Sequence, residues 1–401
     1  MMKEKFIRVR EMNSKLWTNF QRATKDFCKS SDVEFDEKVY GEFAYYSDTP
    51  YCRERLGVEF PIEYMVFITF VYLKDFDYVF KPMEKVLWEI PFCYKGYECC
   101  FTVSKFNYDL LIDTKDEEVA RELLKKLNSV VKMSDKICAP LIEETMNQGE
   151  ITLENKLISI RGRYEYFRRN AEDLFTRPVN EKEFGEEKTL SKFVQIKNMK
   201  RNLIFEASFN AQAMLDAYFS WQEHLLVLLL PFSKFNKEED NLSEFIGTEW
   251  TKKINRIFTP SKSPTLSRHY EKLRIIKETY RNKSTHGEFE KNNGSFYIHF
   301  GALGALPFQM SKHKNELDFT LVSISDSNFE QILDDLDEFE KFLTTDEFWK
   351  NPYKLVTSGI DLSFDDKSIK NYLEAIKSEE GTEGYIQYVL DCEDNHRNMD
   401  W

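Results

Sequence analysis

From Ile204 to Phe232 the chain holds a stretch with the length and composition of a long buried helix, and Pro231 stops it. Its most apolar run, Leu225–Phe232 (LLVLLLPF), is far shorter than the ~18–20 residues that a membrane span requires. Asp216, Glu223 and His224 stand just before that run. The stretch therefore belongs in a protein core, and other helices must cover it.

The residues that follow supply candidates. A helical stretch runs through Phe245–Phe258. Ser263 can cap the next helix, Pro264 suits its first position, and Leu266, Tyr270, Leu273, Ile276 and Tyr280 repeat every three or four residues along it. Ser327 and Glu330 read as the capping box of a further helix, with Phe329, Ile332, Leu333, Leu336, Phe339, Phe342 and Leu343 as its apolar stripe. Residues 201–344 are thus expected to form an all-α bundle. Residues 345–401 read as a short acidic segment with one or two weak helices, and Gly287–Met310 as irregular chain.

The first 178 residues differ in character and are expected to form an α+β domain with a regulatory or sensor role. Asp32–Tyr46 and Val58–Leu73 are rich in the β-branched and aromatic residues of strands. Val86–Tyr94 and Glu98–Val103 flank Lys95-Gly96-Tyr97 as a hairpin, with Gly96 free to take positive φ. Asp113–Ser129 and Ile151–Ala171 carry helical spacing. Residues 179–200, beginning with the polar run VNEKEFGEEKTLSK, read as a linker. A chain of 401 residues exceeds one hydrophobic core, so a multidomain arrangement follows.

Charge and cysteine usage exclude several classes. The net charge is −13, so a protein coating nucleic acid non-specifically is ruled out, and any such contact must use a local basic patch. The seven Cys form no CxxC pair, which leaves a zinc ribbon or thioredoxin-type motif without support and fits free thiols in a reducing cytosol. No HxxxH or HExxH spacing occurs, so no metal site is expected. GALGAL at 301–306 is no dinucleotide fingerprint and GxxxxGK[ST] is missing, so no nucleotide cofactor is expected either. The opening MMKEKFIRVREMNSK has no apolar signal-peptide region, and the expected location is the cytoplasm, with no membrane partner.

One patch breaks the acidic background. Thr251–Thr285 holds Lys252, Lys253, Arg256, Lys262, Arg268, Lys272, Arg274, Lys277, Arg281 and Lys283 against only Glu271 and Glu278. Such a stripe reads as a phosphate-facing, RNA-binding surface. The alternative is a solvated helix face that pairs with acidic helices elsewhere.

The stripe ends in Arg281-Asn282-Lys283-Ser284-Thr285-His286. RNA cleavage without a metal needs a group to take the 2′-OH proton, a cation to stabilise the phosphorane and an acid for the leaving 5′-oxygen. His has the pKa for proton transfer and Arg the two-pronged fork for phosphate. The hexapeptide resembles the RNxxxH form of the Rx4–6H signature of the HEPN superfamily, over about residues 200–345. That resemblance implies an all-helical domain acting as a metal-independent endoribonuclease, with Arg281 and His286 catalytic and Asn282 orienting the His or a phosphate oxygen. It implies cleavage to a 2′,3′-cyclic phosphate and a homodimer formed through the helical domain. It also implies a growth-arresting toxin or an effector of antiphage, abortive-infection defence. RNA, tRNA included, is the expected substrate, and a regulatory or phage-derived protein the expected partner. Two rivals stand beside this. His286-Gly287 also makes a good helix terminus, with the imidazole as a simple helix-end cation. The helical domain could equally be a non-catalytic module for dimerisation or nucleotide binding. Glu223 is read either as a carboxylate orienting Arg281 or as a surface residue.

Overall fold

A computed structural model describes residues 6, 14–30, 43–81, 85–179, 190–236, 240–282, 289–290, 293–311, 314–318, 322 and 324–398. A strand-rich N-terminal region is followed by a mostly helical one. The chain divides into one unit of residues 1–148 and 388–401 and another of residues 149–387.

The first unit is built on an antiparallel sheet. Its strands are β1 Phe27–Lys29, β2 Ala44–Ser47, β3 Val79–Lys81, β4 Val86–Tyr94, β5 Tyr97–Ser104 and β6 Tyr108–Ile112, in the order β1-β4-β5-β6-β2 with β3 on β4. The hairpin closes as its sequence dictates. Tyr94 faces Tyr97, and Lys95 and Gly96 both take positive φ, at 52° and 90°, the twist that matches right-handed strands. Phe70, Phe92 and Phe101 stack at ring separations of 5.3 and 6.3 Å over this sheet. Helices α1 Ser14–Ala23, α2 Pro50–Leu56, α3 Glu63–Phe67 and α4 Glu117–Asn147 complete the unit. The strand expected over Val58–Leu73 is helical instead: α3 continues as a π-helical turn, Ile68–Leu73. Its β-branched residues are there because Val66, Phe70 and Val71 are buried in this core, and burial outweighs strand propensity. Thr69 donates to Ser134 of α4 at 2.8 Å and fixes the turn.

The second unit holds α5 Leu157–Thr176, α6 Leu190–Leu228, α7 Leu242–Gly247, α8 Trp250–Phe258, α9 Pro264–Ile276, α10 Asp326–Thr345, α11 Lys350–Thr357 and α12 Asp366–Ala375. The last helix, α13 Glu379–Asn398, has residues in both units. Helix α6 is the axis of the helical unit. From Ala207 onward it buries Met214, Leu215, Tyr218, Phe219 and Leu225–Leu228, as the apolar stretch requires. Ser263 caps α9 with Pro264 in its first turn. The box that starts α10 lies two residues earlier than expected, at Ser325 and Asn328.

Four expectations are corrected here. The unit of residues 149–387 includes α5, whose Tyr164 and Ala171 are buried, so the α+β region does not extend to 178. Residues 190–200 are the first turns of α6, where a linker was expected. The helical unit is not all-α. Strands β8 Phe289–Glu290, β9 Asn293–Phe300, β10 Gly304–Ser311 and β11 Lys314–Asp318 form a meander in the order β11-β10-β9-β8. Gly304, at φ 80°, opens β10, which is why GALGAL looked irregular. Residues beyond 345, expected as a short acidic segment with one or two weak helices, form three helices. Leu355, Val356, Ile360, Leu362, Phe364 and Tyr372 are buried, and Leu362 and Ser363 (β12) pair with Leu153 and Thr152 (β7).

Candidate active site

The site is built where α6 runs beside the end of α9. Asp216, Phe219 and Glu223 lie three and four residues apart on α6, so one helix face presents all three. Opposite, α9 passes into a π-helical turn, Lys277–Arg281, whose wider hydrogen bond runs from Asn282 N–H to Lys277 O. An inserted residue of this kind rotates everything after it about the helix axis, and such turns concentrate at functional sites. Gln212 of α6 donates from Nε2 to Tyr280 O at 2.7 Å and ties the turn to the long helix.

This places Arg281 in a half-buried position with its Nε 3.3 Å from Asp216 Oδ1. Its NH1 donates to Asn282 Oδ1 at 3.4 Å, so the two motif residues are in mutual contact. Burial pushes the Asp216 carboxyl up from its ordinary value, and the neighbouring guanidinium opposes that shift. Lys283 and His286 lie outside the described residues.

Glu223 does not partner Arg281. It accepts from Lys277 Nζ at 3.2 Å and lies 3.9 Å from Lys253 Nζ, so one carboxylate faces two cations. Lys277 Nζ is also 4.9 Å from the Trp250 ring centre and 5.5 Å from that of Phe219. Burial lowers the pKa of both lysines, with Glu223 working against it. The local charge is thus a run of Asp216, Arg281, Lys277, Glu223 and Lys253 with signs interleaved. Asp216 was missed by sequence reading. The signal for it was its position seven residues before Glu223 and four after Gln212, on the same helix face.

The basic stripe is largely consumed by ion pairs. Arg256 donates to Asp240 Oδ2 at 2.7 Å and to Ser233 O at 2.7 Å. Lys272 lies 2.7 Å from Asp335 and 2.9 Å from Glu338. Arg274 bridges Glu271 and Glu278 at 2.7 and 3.1 Å. Lys253 is buried. Among the described members of the stripe, Lys252, Lys262 and Arg268 are exposed. Among the described residues no group of three or more His, Cys, Asp or Glu is arranged to hold a metal ion, and no helix is long and apolar enough to cross a membrane.

Two other histidines of this unit, His269 and His224, have structural surroundings. His269 is buried against Phe339 and Phe342 at 6.0 and 5.5 Å. His224 accepts the Lys156 backbone N–H on Nε2 at 3.0 Å, which requires a neutral ring, and burial first and Lys156 second lower its pKa. No family model, curated protein or solved structure matches the chain.

Proposed function

We propose that the chain is a metal-independent endoribonuclease of HEPN type, with Arg281 as the phosphate-binding cation. The observation that carries the reading is the seating of Arg281-Asn282 at the end of a π-helical turn, braced by Asp216 and Gln212. A carboxylate beside the guanidinium fixes its orientation, as stabilisation of a phosphorane demands. His286 then serves as general acid or base, and Asn282 orients its neighbours. One motif supplies one Arg and one His. A symmetric pair of chains supplies both the acid and the base, so a homodimer is part of the proposal. The biological role that goes with it is growth arrest in antiphage defence.

The test is incubation of purified protein with total RNA in EDTA, followed by sequencing of the cut ends, with Arg281→Lys and His286→Ala alongside. The expected result is cleavage to cyclic phosphate ends by the unaltered chain and none by either variant. Strict dependence on added magnesium or manganese would falsify the assignment. The ion pairs that absorb most of the basic stripe favour a second reading, a non-catalytic dimerisation or nucleotide-binding module. Under that reading no cleavage appears in any preparation, and the chain is still dimeric in light scattering.

A further inference from the structure

We propose that a cavity between α5 and α11, separate from Arg281, is a binding site for a small organic cation, an alkylammonium or alkylguanidinium. The cavity has a volume of about 460 Å³ and is lined by residues of α5, α6, α10 and α11. That is within the range of small-molecule sites and far more than one inorganic ion fills.

Its charge selects the ligand. Arg161 donates to Glu340 Oε2 at 2.6 Å and to Glu165 Oε1 at 2.9 Å, so one cation faces two carboxylates and the walls keep a net negative charge. The guanidinium is laid over the Tyr164 and Trp221 rings at 4.8 and 5.4 Å, where it is held in place. An anionic ligand would meet both carboxylates, whereas a cation meets the surplus charge. The other oxygen of Glu340, Oε1, is buried and accepts no hydrogen bond from the described residues. The carboxylate that a ligand can reach is that of Glu165, which is half exposed at the rim, and ammonium and guanidinium groups carry donors only. Burial raises the Glu340 pKa, which a bound cation would reverse.

The apolar part of the ligand also has its place. Leu157 and Ile158 line the cavity beside the Tyr353 ring, which stands edge-on to Trp221 at 6.4 Å. Gly162 is the second independent sign. A glycine inside a helix is costly, yet nothing lies within 4 Å of where its Cβ would be. The missing side chain keeps the mouth of the cavity open, and no packing contact in the fold calls for it.

The experiment is calorimetric titration of the full chain with agmatine, with spermidine, with Nα-acetyl-arginine amide and, as the opposite charge, with glutamate. Saturable binding of at least one cation and none of glutamate is expected. Binding of the free amines alone assigns a metabolite, and binding of the blocked arginine alone assigns a basic side chain of a peptide. In Gly162→Leu, which fills the mouth, and in Glu165→Gln, which removes one charge at the rim, affinity should fall by about tenfold or more. Leucine is a better helix former than glycine, so Gly162→Leu should melt no lower than the unaltered chain. Should it unfold, Glu165→Gln decides. The proposal is overturned if no cation binds, if glutamate binds instead, or if the folded variants bind with unchanged affinity.

Discussion

Asp216 Oδ1 stands 3.3 Å from Arg281 Nε, so the cation of the RNxxxH segment is braced by a carboxylate from the middle of the long helix α6. The contact sets one edge of the guanidinium against a carboxylate, while NH1 donates to Asn282 Oδ1 at 3.4 Å. It also explains why an acidic residue is tolerated beside so much apolar surface, since a half-buried carboxyl needs a partner.

Arg281→Lys should abolish cleavage, because an ammonium cannot reproduce two parallel donors to a phosphorane. Asp216→Asn keeps the shape and removes the brace. It should lower the single-turnover rate by about 10–100-fold through misplacement of the guanidinium, with Arg281 still present. Thermal melts of both variants should stay close to that of the unaltered chain, since both side chains are partly exposed. A rate in Asp216→Asn equal to the unaltered one would remove the brace from the mechanism.

The basic stripe divides by partner, and so should its variants. Lys262 is exposed, and Lys262→Ala should reduce the slope of log affinity for RNA against log salt by about 1. Lys272 is already held by Asp335 and Glu338, so Lys272→Ala should leave that slope nearly unchanged. Equal losses of slope in filter binding would show that Lys272 leaves its carboxylates to meet phosphate.

Sequence reading reached the parts of the fold that local chemistry fixes. The β4–β5 hairpin follows from Lys95-Gly96, the start of α9 from Ser263-Pro264, and the burial of α6 from its apolar run. It failed where tertiary contacts decide. The β-branched and aromatic residues of Ile68–Leu73 became a π-helical turn because a core awaited them, and the strands Asn293–Phe300 and Gly304–Ser311 were hidden by glycines that read as loop. At the candidate site the motif gave Arg281 and Asn282. It could not say that Glu223 pairs with Lys277 and Lys253, because which lysine reaches a given carboxylate depends on how three helices cross. The π-helical turn has no signature in residue type, so the direction in which Arg281 points was also beyond sequence.

The bond from the Lys156 N–H to His224 predicts a pH dependence of stability. The folded-state pKa of His224 lies below its ordinary value, chiefly because the ring is buried. Below an unfolded pKa of ~6.5 the unfolded chain therefore binds a proton that the folded chain refuses. The stabilisation from the neutral ring is fully present above that value and is lost as pH falls below it toward the folded pKa. Between pH 7.5 and 5.5 the unaltered chain should lose more melting temperature than His224→Gln, whose side chain does not titrate. Parallel curves for the two proteins would show that the bond is not coupled to protonation.

A buried chain of hydrogen bonds carries the last prediction. Trp250 Nε1 donates to Gln222 Oε1 at 2.9 Å, Gln222 Nε2 donates to Tyr218 OH at 3.2 Å, and Tyr218 OH donates to Leu336 O at 3.4 Å. Trp250, Gln222 and Tyr218 are each almost fully buried, so no water can replace a lost partner. Gln222→Leu preserves the volume and leaves the indole N–H without an acceptor, which costs about 1–3 kcal/mol. Trp250→Phe in the same background removes the orphaned donor, so the double variant should recover part of the loss and trade it for a smaller packing defect. Denaturant titration of the two single variants and the double variant gives the coupling directly. Because Trp250 also sits against Lys277 at 4.9 Å, Trp250→Phe should weaken the seat of that lysine, whereas Gln222→Leu should destabilise with that contact left in place. If Gln222→Leu proves as stable as the unaltered chain, the hydrogen-bonded chain contributes nothing to folding and the indole finds another acceptor.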